Sequence, residues 1–230
     1  AAEKGHSATV RVLVDAKAPL EVRDADGNTP LLLAAKNNNV SAIKLLYDTG
    51  AYPDTRDRDG KSIVDRAIAN GHVEILTILN KSITKGGLND QSLLTRAVLE
   101  GDAEKFELFV RAGASLDVSD SAGNTALTLA AMHGDLGFVR KLIVANASLN
   151  LRDRHGNTAL ALAVRHGHID IMMALIASNA SVQSVNEFGH SALMLAVCRG
   201  DSRAVSALID AGALEISAKE INDVIELANS

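Results

Sequence analysis

A chain of 230 residues with a formal net charge of −5 and a pI near 5.8 lacks the basic balance that strong phosphate binding requires, and 3 % aromatic content leaves few rings for base stacking. Nucleic acid is therefore excluded as the principal ligand, and no apolar run approaches the roughly 18 residues of a membrane span. Hydrophobic residues reach 47 % without a single Trp, which suits cores filled by Ala, Leu, Ile and Val, and the lone Cys198 excludes an internal disulfide and fits a reducing interior.

The predicted elements follow one period. The block Gly-Asn-Thr-Ala-Leu-x-Leu-Ala spans residues 123–130 and 156–163, with a close variant at 189–196, a step of 33 residues. A fixed period of that size means a stack of small units that bury their apolar faces against each other. Residues 1–23 are the later part of one unit, so the chain reads as a fragment of something longer. Units then run 24–56, 57–86, 87–119, 120–152, 153–185 and 186–218, and residues 219–230 read as a capping helix. One step is short: the connection 80–91 has lost three residues and its Gly-Ala pair, which predicts the weakest joint of the array.

Each unit reads as turn, short helix, turn, second helix and extended loop. An Asp-x-x-Gly turn precedes Thr29, Ser62, Thr125 and Thr158, Ser191 follows a turn that starts at Asn186 and Ser92 one that starts at Gly87, and these hydroxyls are placed to cap a helix, with Pro30 in the favoured first helical position. The first helix carries small residues at Ala34, Ala35, Ala67, Ala97, Ala130, Ala131, Ala163 and Ala196, which let neighbouring helices approach closely. Gly71, Gly101, Gly134, Gly167 and Gly200 end it as left-handed caps. A second helix follows with apolar residues at helical spacing, such as Val139, Leu142 and Ile143.

This pattern resembles the ankyrin repeat, with Asp-x-x-Gly-x-Thr-Pro-Leu-His-x-Ala-Ala-x-x-Gly-His as its consensus, over about residues 1–218. The Thr-Ala-Leu variants resemble bacterial or protist members more than animal ones. The resemblance implies an all-α repeat solenoid, an ankyrin stack of helix-turn-helix units with β-hairpin-like loops, forming a single domain over residues 1–230. The family's helix-starting His is replaced by Leu32, Asp65, Thr95, Thr128, Ala161 and Met194, so its hydrogen bonds must be replaced or absent. His6, His72 and His168 hold the Gly-His position and read as structural.

Catalysis has no candidate residues. Cys198 has no His and Asp at a nucleophile's spacing, and Lys85-Gly86-Gly87 lacks the phosphate-loop pattern. Equivalent histidines such as His133 and His166 stand about a helix-packing distance of ~8–10 Å apart, too far to share a zinc ion. No cofactor and no metal are expected. The resemblance implies a non-catalytic module that binds a partner protein or peptide through a concave face. Mapped onto this chain, that face includes Met132, His133, Arg152, Arg154, His155, Arg165, His166, Phe188, His190, Cys198 and Arg199, with Glu187 the one acidic residue. Units before it are mixed, with Asp26, Lys36, Arg56, Arg58, Asp59 and Lys61, then apolar Leu88 and Leu99.

The expected partner is thus an acidic protein or peptide, bound by a monomer. The four histidines are expected to add charge as pH falls through about 6.5. A cytoplasmic location follows from the same reading, or a host cytosol for a bacterial effector. Two alternatives belong to other classes: a regulatory or targeting segment of a larger enzyme, channel or effector, and a mechanical spacer.

Overall fold

The computed structural model describes residues 1–83 and 93–213, with backbone alone for 80–83. Among these residues it holds thirteen helices and, in place of strands, two isolated bridges, Arg152 with Thr158 and Val185 with Ser191. The helices are α1 (Ser7–Asp15), α2 (Pro30–Lys36), α3 (Val40–Asp48), α4 (Ile63–Ala69), α5 (Val73–Ile83), α6 (Leu93–Glu100) and α7 (Ala103–Arg111). They continue as α8 (Ala126–His133), α9 (Leu136–Val144), α10 (Ala159–His166), α11 (Ile169–Ala177), α12 (Ala192–Cys198) and α13 (Ser202–Asp210). The fold is the all-α repeat stack that the periodicity predicts. Ser92, the joint at 84–91 and the segment 219–230 lie outside the described residues.

The chain divides into two compact units, one of residues 1–93 with 104–115 and one of residues 94–103 with 116 onward. In the first, α2 packs on α4, and α3 packs on both α1 and α5. In the second, α8, α10 and α12 form one row, and α9, α11 and α13 form the other. Small side chains make the first row possible: Ala130, Ala131, Ala163 and Ala196 are fully buried, as are Ala34, Ala35 and Ala67 in the first unit. The second row contributes the larger apolar groups, Val139 and Leu142, then Met172 and Leu175.

Helix starts form as the hydroxyl pattern predicts. Thr29, Ser62, Thr125, Thr158 and Ser191 each accept the backbone N–H three residues on, at 3.2–3.3 Å, satisfying a donor that the helix itself cannot. Two residues at the replaced-His position complete a reciprocal pair: Asp65 accepts the Ser62 N–H at 2.9 Å, and Thr128 accepts that of Thr125 at 2.7 Å. Leu32, Ala161 and Met194 have no side-chain group for that second bond.

Successive hairpins are stitched by their backbones. Arg154 N–H donates to Ala122 O at 2.9 Å and Glu187 N–H to His155 O at 3.0 Å. The chains run so close that a Cβ on Gly156 would lie 2.9 Å from Glu187 N, and its φ of +77° also disfavours any other residue. Polar side chains clamp the loops as well: Asp117 accepts from Ser148 N–H and Asn150 from Ser181 N–H, at 2.9 and 2.8 Å.

Candidate functional site

All the predicted face residues fall in the second unit, and the periodic scaffold decides where each one stands. Met132 and His133 end α8, Arg165 and His166 end α10, and Cys198 ends α12 with Arg199 as its C-cap. Arg152, Arg154, His155, Phe188 and His190 stand on the hairpins before α10 and α12. His133, Arg152, Arg154, His155, Arg165, His166, Phe188, Cys198 and Arg199 are exposed, whereas Met132 and His190 are half-buried. Phe188 is the most prominent apolar group among them, 66 % exposed, with its ring centroid 6.0 Å from that of His190.

The four arginines are held in different ways. Arg152 donates from Nη1 to Val185 O at 3.1 Å, and Arg199 from Nη1 to Arg165 O at 2.9 Å, so each is tied to the backbone of an adjacent repeat. Arg154 donates from Nε to Nε2 of His155 at 3.1 Å, which requires that nitrogen to be unprotonated in this arrangement. The Arg165 guanidinium makes no hydrogen bond among the described residues, and none of the four arginines forms an ion pair there. A guanidinium has five N–H donors, so even the tied arginines keep most of theirs for a ligand.

The tied residues belong to a device that the sequence reading missed. His168 Nε2 lies 3.2 Å from Met132 O, and Arg199 reaches Arg165 O, the same carbonyl one repeat later. In the first unit Asn39 donates to Glu3 O, its equivalent, at 2.8 Å. Three residue types thus cap one position, where the last carbonyls of a short helix lack helical partners. Gly134 and Gly167 make room for this: a Cβ on either would run into the His168 ring or the Arg199 guanidinium. Likewise Arg152 repeats Arg23, whose Nη1 donates to Arg56 O 33 residues on, so the recurrence of Arg at the last position of a unit was the available signal.

His166 corrects the expectation that all four histidines charge together near pH 6.5. Although His166 is exposed overall, partial desolvation of its ring, followed by the positive potential of His168, Arg165, Arg199 and His133, lowers its pKa, and the ring stacks on that of His168 at 6.2 Å. It therefore takes up its proton below the ordinary imidazole range. His72, at the Gly-His position, has its Nδ1 buried without a partner among the described residues.

A family model described as ankyrin repeats (3 copies) matches residues 1–90 and 94–186, and one described as ankyrin repeat matches residues 188–220. No curated protein matches the chain. No helix among the described residues is long and apolar enough to cross a membrane.

Proposed function

Because this chain belongs to the ankyrin repeat family, whose repeats are generally protein-interaction modules, we propose that it is a non-catalytic binding module for an acidic protein or peptide. The partner lies along the hairpin tips and the ends of α8, α10 and α12, the concave side in this family. Arg154 and Arg165 make the principal ion pairs, Arg152 and Arg199 add pre-positioned donors, and Phe188 is the apolar anchor. The observation that carries this reading is the set of four exposed arginines with no carboxylate partner among the described residues. Arginine's forked donors match carboxylates, and arginines and aromatics are enriched among residues that dominate binding energy.

Cytoplasmic residence as a monomer completes the proposal. The test is capture of the partner from cell extract, followed by its affinity for the wild type and for an Arg154→Glu/Arg165→Glu double variant. Both residues meet neighbouring repeats only through backbone atoms, which a side-chain substitution keeps, so the fold should survive the change. The expected result is a loss of affinity on the order of 100-fold, with a flatter dependence on salt. Unchanged affinity with an intact fold contradicts the assignment.

A further inference from the structure

Around Gly167 three successive repeats bring cationic side chains to one place. His133 ends α8, Arg165 and His166 end α10, His168 precedes α11 as its N-cap, and Arg199 is the C-cap of α12. The His166 and His168 rings stack at 6.2 Å with only 14° between their planes, and the Arg199 guanidinium lies so close to Gly167 that a Cβ there would run into it. The positive potential of His168, Arg165, Arg199 and His133 reaches the His166 ring, so the five groups act as one electrostatic cluster. His168 is half-buried and the other four are exposed.

None of the five forms an ion pair among the described residues. The carboxylates on the adjoining elements are Asp135, Asp170 and Asp201. Two of them are committed to helix starts: Asp135 accepts Phe138 N–H at 3.1 Å and Asp201 accepts Ala204 N–H at 3.0 Å. Asp170 is exposed in the first turn of α11 and has no ion pair among the described residues. Free carbonyls at helix ends would repel an anion, but Met132 O and Arg165 O are already bonded by His168 Nε2 at 3.2 Å and Arg199 Nη1 at 2.9 Å.

We propose that this cluster is a phosphomonoester site that takes a phosphorylated residue of the acidic partner, an inference that rests on the binding role proposed above for this face. A carboxylate brings one charge and two oxygens in a plane, whereas a phosphomonoester brings a charge of roughly −1.5 to −2 and three acceptor oxygens. The donors suit the second ligand better. Arg165 offers a whole guanidinium fork, Arg199 keeps its remaining N–H groups, and the histidines add donors when they charge. The crowding of positive charge that makes a proton on His166 costly also favours a dianion, and the bound dianion offsets that cost, so ligand and proton bind cooperatively. Arg152, Arg154 and Phe188 on the hairpins remain for the flanking residues of the partner.

The test titrates the full chain at neutral pH with three capped tripeptides: Glu-phosphoserine-Glu, Glu-Glu-Glu and Glu-Ser-Glu. NMR follows the ring C–H signals of His133, His166 and His168. The phosphorylated peptide is expected to bind at least about ten-fold more tightly than the glutamate peptide and to raise the pH at which His166 titrates. His133→Gln/His166→Gln, at two exposed positions whose side chains tie no repeats together, should cut that margin to less than about three-fold. Equal affinity for the phosphorylated and glutamate peptides overturns the phosphate site and leaves the carboxylate reading standing, since that reading fails only through the Arg154→Glu/Arg165→Glu variant. A margin that survives the histidine changes, or no saturable shift with the phosphorylated peptide, equally overturns it. Inorganic phosphate that binds as tightly as the phosphorylated peptide would assign the site to the free ion. Sedimentation with phosphatidylcholine vesicles only when they carry phosphatidic acid would assign it to a lipid surface. Either result overturns a phosphorylated partner.

Discussion

In the first unit Arg66 lies 2.5 Å from Asp57 and 2.8 Å from Asp59, and Arg56 lies 3.3 Å from Asp65. In the second unit Arg152, Arg154, Arg165 and Arg199 meet ring nitrogen, backbone carbonyl or solvent, and no carboxylate among the described residues. The same residue type therefore serves two purposes on one repeating scaffold. Where an acidic neighbour is at hand, arginine fastens a hairpin to its helix. Where none is, its charge stays available to a partner. Net charge hides the difference, because the whole chain is acidic while one face of one unit is not.

The largest expected effect separates two glycines at equivalent hairpin positions. Gly156→Ala places a methyl 2.9 Å from Glu187 N in addition to straining a φ of +77°, and should cost about 3 kcal/mol; Gly189→Ala has the same φ with no atom of the described residues within 4 Å and should cost only about 1 kcal/mol. Thermal or denaturant unfolding of the two variants checks this, and equal losses would mean that the hairpins are not in contact. Ala163→Leu, at a fully buried contact between α10 and its neighbours, should cost roughly 1–3 kcal/mol. A melt without loss would argue against the register.

The arginine contrast itself predicts smaller shifts. Arg66→Ala strands the Asp57 side chain, which is 3 % exposed, and should cost about 1–3 kcal/mol, whereas Arg154→Ala should change stability by less than about 0.5 kcal/mol. Matching losses in the two variants would remove the distinction between the units.

Acid should act on the units over separate ranges. Burial alone raises the Asp57 pKa, but the Arg66 guanidinium and the N–H groups of Lys61 and Asp59 outweigh it and hold the carboxyl below its ordinary 3.8. The folded chain keeps it ionised where the unfolded chain has begun to protonate it. Its stabilisation is thus present above about pH 4 and is lost as pH falls through the folded value. For His166, with its folded pKa lowered, the unfolded state binds the proton first, so stability declines as pH drops below about 6.5. Stability curves for Asp57→Asn and His166→Gln check this, each expected to flatten the loss in its own range only.

How much of this was legible in the sequence differs between scaffold and site. The caps at Thr125 and Thr158, the small face at Ala130 and Ala163 and the left-handed Gly134 and Gly167 all rest on local backbone chemistry that recurs in register. The exposure of the arginines followed from the same register. What the sequence did not disclose were bonds that span repeats, such as Arg152 to Val185 O and His168 to Met132 O, because they depend on how two units sit together and which rotamer a long side chain takes. The depressed pKa of His166 has the same origin, since its neighbours His168 and Arg199 come from different turns and repeats.

The most direct measurement is partner affinity as a function of salt for three proteins: wild type, Arg154→Glu/Arg165→Glu in the second unit, and Arg58→Glu/Lys61→Glu on an exposed hairpin of the first, whose Asp57 and Asp59 are paired with Arg66. The account predicts an affinity loss on the order of 100-fold with a flattened salt slope for the second-unit variant, and near-wild-type binding for the first-unit variant. Equal losses in both, or a loss confined to the first unit, would contradict it.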